Sequence, residues 1–366
     1  MGNPVTRIKI QGFKSIRELD LKLNGGVNIL VGSNGSGKSN FSSFFKLLNE
    51  IINERLENYT MKYGADYFLF CGSKETKEIS SEISFGQNEY RCKLEPRLGG
   101  NKPPLFFNEE KSIFYKFSGD SHVHMDSKNS SETQLHHYAQ KTGATGSRSV
   151  SFYVYKALSS WRLFHFHDTS DEARVKRDCE INDNQSLKPF AENLAAFLYK
   201  LKISHKAHYD GIVDHIRLVA PFFKDFDFNP SADSVSLMWK EKYSDDYRDA
   251  YYLSDGTLRF ICLATLLLQP TPPSTIVIDE PELGLHPYAI EILAAVIKKA
   301  AATTQILVST QSVQLIDNFS PEDIIVVDRK DKESVFRRLE RIDLGEWIKE
   351  YSLGEIWQKN LFGANP

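Results

Sequence analysis

The sequence predicts an α/β fold built on a parallel sheet, with an antiparallel β subdomain and a helical lobe beside it. Three observations predict it. Gly32-Ser-Asn-Gly-Ser-Gly-Lys-Ser39 has the spacing G-x-x-x-x-G-K-[ST] and follows the short apolar run Val27–Val31. Far downstream, Ser274-Thr-Ile-Val-Ile-Asp-Glu280 is an apolar run that ends in two adjacent carboxylates. From residue 260 onward, helical stretches alternate with apolar runs at 275–279, 305–309 and 324–328, the pattern of a parallel sheet.

The first element is the loop. Val27–Val31 suits a strand buried on both faces. The glycines that follow allow a tight turn whose N–H groups face phosphate oxygens. Gly32, Ser33, Asn34, Gly35, Ser36, Gly37, Lys38, Ser39 and Asn40 are the residues expected around the phosphates. A helix is expected from Lys38, with Phe41, Phe44, Phe45 and Leu48 on one face. Its N-terminal dipole favours an anion. Lys38 is placed to reach the β- and γ-phosphates, and the Ser39 hydroxyl to ligate Mg²⁺.

From about 66 to 117, alternating segments such as Glu78–Phe85 and Tyr90–Leu94 predict antiparallel strands. Residues 118–149 are polar and Ser/Gly/His-rich and read as a mobile loop. Its histidines, His122, His124, His136 and His137, have no carboxylate or cysteine partner at ligand spacing, so exposed histidines are favoured over a metal site. Trp161–Asp168 alternates aromatic and polar residues and reads as a half-buried strand. Arg162, His165 and His167 in it are alternatively contacts to nucleotide or a partner. Residues 187–218 read as helical, with Leu194, Phe197, Leu198 and Leu201 on one face. Ser254-Asp-Gly256 reads as a turn and N-cap opening a buried helix.

Thr275–Ile278 then delivers Asp279 and Glu280 to the C-terminal end of a strand, where ligands sit in open α/β sheets. Asp279 is expected to hold Mg²⁺ with Ser39, and Glu280 to orient and polarise a water. These residues imply a bound nucleoside triphosphate, ATP or GTP, and its hydrolysis. In the tail, 341–366, the stretch Leu344–Trp357 has apolar residues at helical spacing and is expected to pack onto the rest, a partner dock being the alternative.

The class is narrowed by four segments in fixed order. Leu253-Ser-Asp-Gly-Thr257 resembles the LSGGQ signature of ABC-type ATPases, and Pro281-Glu-Leu-Gly-Leu-His-Pro287 resembles their D-loop. Gln305-Ile-Leu-Val-Ser-Thr-Gln-Ser312 ends where the class carries its switch residue, here Gln311 instead of histidine. Arg7–Ile16 looks like the opening of SMC- and RecF-type ATPases. The whole chain resembles stand-alone bacterial predicted ATPases of the SMC/RecF-like ABC clade.

That resemblance implies an ABC-type P-loop ATPase head over 1–366. It implies a first nucleotide-binding part at 1–165, a helical lobe at 166–262, a second nucleotide-binding part at 263–340 and a helical tail. It also implies ATP and Mg²⁺ as cofactors, catalysis by Lys38, Glu280 and Gln311, and a head-to-tail homodimer. In that dimer Ser254, Asp255 and Gly256 of one chain complete the partner's site. The implied output is a switch in a DNA-repair or phage-defence complex with DNA or an effector such as a nuclease. A regulatory nucleotide-gated protein-interaction module is the alternative, and a transporter subunit a weaker third. No sustained heptads predict a coiled-coil arm, and no residue is assigned to the class's Q-loop glutamine.

Bulk properties bound the rest. Hydrophobic residues make up 41% of the 366, and the net charge is −3. With charge so near balance, nucleic-acid binding would need a local basic patch; Lys14 and Arg7 are candidates near the loop, solvated charge being the equal alternative. Four scattered cysteines fit a reducing cytoplasm. No membrane span or signal-peptide core is expected, so the expected location is cytoplasmic.

Overall fold

The computed structural model describes residues 4–97, 99, 104–116, 118–141, 149–244 and 246–364. The chain opens with β1 (Arg7–Phe13), β2 (Ile16–Lys22) and β3 (Val27–Val31), then α1 (Lys38–Ile52) and α2 (Leu56–Tyr63). Strands β4 (Ile79–Phe85), β5 (Asn88–Pro96), β6 (Leu105–Tyr115) and β7 (Ser121–Ser130) precede α3 (Leu135–Gln140), α4 (Val150–Ser159) and β8 (Trp161–Phe164). A middle block holds β9 (Cys179–Glu180), α5 (Leu194–Ser204), α6 (Lys206–Val219), β10 (Phe223–Pro230), β11 (Ser234–Glu241) and β12 (Tyr247–Asp249). Then come α7 (Asp255–Leu268), β13 (Thr275–Asp279), α8 (Pro287–Ala300), β14 (Gln305–Thr310), α9 (Val313–Ile316), β15 (Ile324–Lys330) and β16 (Glu333–Arg338). The tail carries α10 (Arg341–Leu344), α11 (Trp347–Glu350) and α12 (Leu353–Gln358).

The sheet that positions the site has the order β16-β15-β3-β14-β13-β8. Its five strands from β15 to β8 pair in parallel, and only β16 runs antiparallel. All five residues of β3 are buried, because hydrophobic layers cover both faces. On one face α1 packs Phe41, Phe44, Phe45 and Leu48 inward, each no more than 4% exposed. Phe44 meets Phe13 edge to face at 5.6 Å. Each buried ring contributes about 1.5–3 kcal/mol relative to exposure. On the other face α7 and α8 bury their apolar sides.

A second sheet, β2-β1-β4-β5-β6-β7, is antiparallel throughout. β4 alternates buried and half-buried residues along its length, as its sequence period demands.

Three expectations are corrected. The stretch expected as a mobile loop holds β7 and α3 in its described part; 142–148 lie outside the described residues. β7 escapes a reading by hydrophobic pattern because only Met125 in it is buried, and its backbone pairing with β6 supplies the order. The lobe expected as helical also contains a sheet, β10-β11-β12 with β9 paired to β11, against which α5 packs. Its helical stretch, read as 187–218, starts at Leu194 and divides at His205 into α5 and α6. The strand read over Trp161–Asp168 ends at Phe164, beyond which the chain leaves the sheet. Among the described residues no helix is longer than the 15 residues of α1, and none is long and apolar enough to cross a membrane.

Candidate active site

β3 hands the chain to a glycine loop at the C-terminal end of the parallel sheet. Gly35 and Gly37 take φ of 80° and 114°, which only glycine adopts without strain. A Cβ on Gly32 would overlap the Val327 carbonyl of β15, and one on Gly37 would overlap Ser334 of β16. The loop is thus clamped from outside: the Ser334 hydroxyl donates to the Ser36 carbonyl at 2.6 Å and pairs with the Ser15 hydroxyl at 2.7 Å. The Ser36 hydroxyl is buried without a partner. Lys38 is 5% exposed, and its ammonium donates to the Ser33 carbonyl at 2.9 Å and to the Gly32 carbonyl. A buried orphan hydroxyl and an ammonium resting on loop carbonyls fit a phosphate chain as their missing partner.

Two loops from neighbouring strands face this one. β13 ends at Asp279, whose carboxylate accepts from the Ser309 hydroxyl of β14. Glu280 then turns the chain with φ of 40°, left-handed for a residue with a side chain. Its N–H donates to the Ser309 carbonyl at 2.8 Å, which fixes the turn to the next strand. Past the end of β14, the Gln311 side-chain amide donates to the Glu280 carboxylate. Asn34, Gly35, Gly37, Lys38, Ser39, Asn40, Glu280, Gln311 and Arg329 line one cavity of about 230 Å³. Carboxylate, amide and phosphate loop therefore share one space. Asn40 and Arg329 also line a neighbouring cavity of about 530 Å³ with Lys14, Ser15, Tyr67 and Lys332.

The electrostatics follow from burial. Desolvation lowers the Lys38 pKa, against the raising effect of the Glu280, Asp279 and Glu282 carboxylates. Burial raises the Glu282 carboxyl above its ordinary value, with the Thr310 hydroxyl and backbone donors opposing and Glu280 adding to the rise. Burial likewise lowers His165, which follows β8 beside β13 and feels the Asp279 charge. Ser39 and Asp279 bear the oxygen donors a hard divalent cation takes.

The candidate residues fall in two places. Gly32–Asn40, Asp279, Glu280 and Gln311 gather at one sheet end. Ser254, Asp255 and Gly256 do not line that cavity; Ser254 and Asp255 are exposed at the start of α7. The Ser254 hydroxyl caps α7 by accepting from the Thr257 N–H at 3.3 Å. Gly256 lies close enough to the Gly284 carbonyl that a Cβ would overlap it. Arg259, one turn on, donates to the carbonyls of Phe166 at 2.9 Å, His167 at 3.0 Å and Leu283. It ties α7 to the segment after β8 and to the turn after β13. Of the other residues weighed, Lys14 donates to the Ser43 hydroxyl at 3.1 Å, Arg7 pairs with Asp20, and His136 stands 3.3 Å from Glu54.

Sequence reasoning missed Arg329 and Glu282. Arg329 is the next-to-last residue of β15, the parallel neighbour of β3, and donates to the Gly35 carbonyl at 3.3 Å. Knowing which strand neighbours β3 would have found it.

A family model described as "AAA domain, putative AbiEii toxin, Type IV TA system" matches residues 27–317. The chain is 26% identical over 86 residues to a DNA replication and repair protein RecF of Glaesserella parasuis serovar 5 (strain SH0165), covering 23% of this chain and 24% of that protein. It is 25% identical over 100 residues to the RecF of Actinobacillus pleuropneumoniae serotype 5b (strain L20), covering 27% and 25%. The aligned stretch thus spans about a quarter of these relatives' length. Among solved structures, an Smc head bound to the C-terminal winged-helix domain of ScpA superposes with a TM-score of 0.54 at 16% identity, over 94% of this chain and 99% of that one. The Smc head with an extended coiled coil bound to the ScpA C-terminal domain, from Pyrococcus furiosus, gives 0.51 at 15% identity, over 95% and 99%. Likeness at such low identity establishes a shared fold.

Proposed function

We propose, from the premise that this chain belongs to the AAA-domain family described as putative AbiEii toxin of the Type IV TA system and is an SMC/RecF-like ABC-type ATPase, that it hydrolyses ATP at the Gly32–Asn40 loop and uses the cycle to open and close a head-to-tail homodimer. The observation that carries the reading is the shared cavity of the loop, Glu280 and Gln311.

The geometry supports the following roles. The loop N–H groups and the Lys38 ammonium bind the phosphates, exchanging the loop's own carbonyls for phosphate oxygens. Ser39 and Asp279 would hold Mg²⁺, which when bound neutralises phosphate charge. Glu280 orients and polarises the attacking water. Gln311, already bonded to Glu280, holds that carboxylate in place. The exposed Ser254–Gly256 end of α7 completes the partner's site, giving two equivalent sites related by a two-fold axis. Relatives named for DNA replication and repair support a DNA-acting complex as the setting of this switch.

The test compares two variants by ATP affinity and turnover. Lys38→Ala is expected to weaken Mg-ATP binding about ten- to hundredfold, the loss of a charged hydrogen-bonding group. Glu280→Gln is expected to bind ATP near the wild-type affinity and to turn over about 10²–10⁴ times more slowly. Wild-type turnover in Glu280→Gln would remove the catalytic assignment.

A further inference from the structure

We propose that Glu282 is a positioning residue of the hydrolytic site: its carboxyl holds the Thr310–Gln311 turn so that the Gln311 amide stays on Glu280. The proposal rests on the reading of Glu280 given above.

The geometry forms a closed triangle. Glu282 sits two residues past Glu280 in a turn closed by the Leu283 N–H on the Glu280 carbonyl at 3.2 Å. One carboxylate oxygen of Glu282, Oε1, accepts from both the Thr310 hydroxyl and the Gln311 N–H, the latter at 3.3 Å. Thr310 is fully buried, and its hydroxyl accepts in turn from the Ser312 N–H at 2.9 Å. The backbone on either side of Gln311 is therefore pinned through this carboxyl, and from that backbone the Gln311 side chain reaches Glu280. Glu282 as a residue is only half-buried, yet its Oε2 is shut from solvent and has no partner. An orphaned buried polar atom costs free energy. Burial disfavours charge on this carboxyl, and the nearby Glu280 carboxylate acts in the same direction.

A positioning residue acts through another, and a double-mutant cycle reads that dependence. ATP affinity and turnover are measured for Glu282→Ala, Gln311→Ala, the double variant and Glu282→Gln. Glu282→Ala is expected to lower kcat about tenfold or more with ATP affinity within about threefold of wild type. The double variant is expected to be no slower than the slower single. Glu282→Gln retains the Oε1 acceptor and is expected to recover kcat to within about threefold of wild type.

Independent, multiplying losses in the double variant would overturn the proposal. So would wild-type kcat in Glu282→Ala, equal loss of affinity and kcat, or failure of Glu282→Gln to recover. Should Glu282→Ala not fold, Thr310→Val removes the hydroxyl from the same contact and is expected to give the same kcat-only, non-multiplying loss. Glu280→Gln run alongside separates the two readings. If it stalls while the cycle multiplies, only the Glu282 assignment falls; if it turns over normally, the Glu280 reading falls first.

Discussion

Glu280 holds a left-handed backbone, which costs a residue with a side chain about 1–3 kcal/mol, and the surrounding bonds to β14 keep it there. Its neighbour Glu282 adds a second cost that depends on pH. Because burial raises its folded-state pKa, the folded chain holds that proton more tightly than the unfolded chain. The resulting contribution is most favourable below the unfolded carboxylate value, about 4.3. It declines as pH rises through the raised folded value. Glu282→Gln carries no such dependence. Its melting temperature is therefore expected to exceed that of wild type at pH 8, with the gap closing toward pH 5 in a series of thermal melts. A gap independent of pH would mean that Glu282 is not buried with a raised pKa. At this scale the gathering of Lys38, Asp279 and Glu280 at one sheet end was legible, because each stands at the end of a buried strand or in the loop that follows it. Arg329 was not: it reaches the loop only through strand adjacency, which nothing in its own segment encodes.

Among the elements, α7 concentrates the connections between the two candidate regions. Its cap, Ser254, faces outward, while Arg259 reaches inward to three backbone carbonyls on two other segments. Arg259→Ala leaves those acceptors without their donor, so a loss of about 3 kcal/mol is expected in denaturant unfolding. Little change in the unfolding midpoint would show that water replaces the guanidinium without cost. α1 and α7 were readable because their apolar spacing is strong and their starts are marked by Gly37 and Ser254. β7 was not, with one buried side chain in ten residues. β10 and β11 were overlooked because the helical pattern just before them drew the whole lobe into one class, although Phe226, Val235, Leu237 and Trp239 do bury as strand residues should.

Across the whole molecule, the α7 N-terminus does not line the cavity of the phosphate loop, and the proposed head-to-tail homodimer would bring it to a partner's loop. Glu280→Gln protein is expected to sediment as a larger species with Mg-ATP than without nucleotide. Ser254→Arg in that background is expected to abolish the shift, since a long cation would occupy the contact. A dimer indifferent to both would remove the head-to-tail model and leave the ATPase assignment standing. The order of the parallel sheet has a consequence for how the chain is made. β3 emerges early from the ribosome, but its partners β14 and β15 begin only at Gln305 and Ile324. At 5–20 residues per second, a strand destined for full burial waits on the order of half a minute for both neighbours. During that time the antiparallel sheet can complete itself around β1, while β3 remains an open edge of the kind that draws in other chains. Nascent copies are thus most prone to aggregate, and most in need of chaperone shelter, after the loop has been translated and before it can hold a ligand.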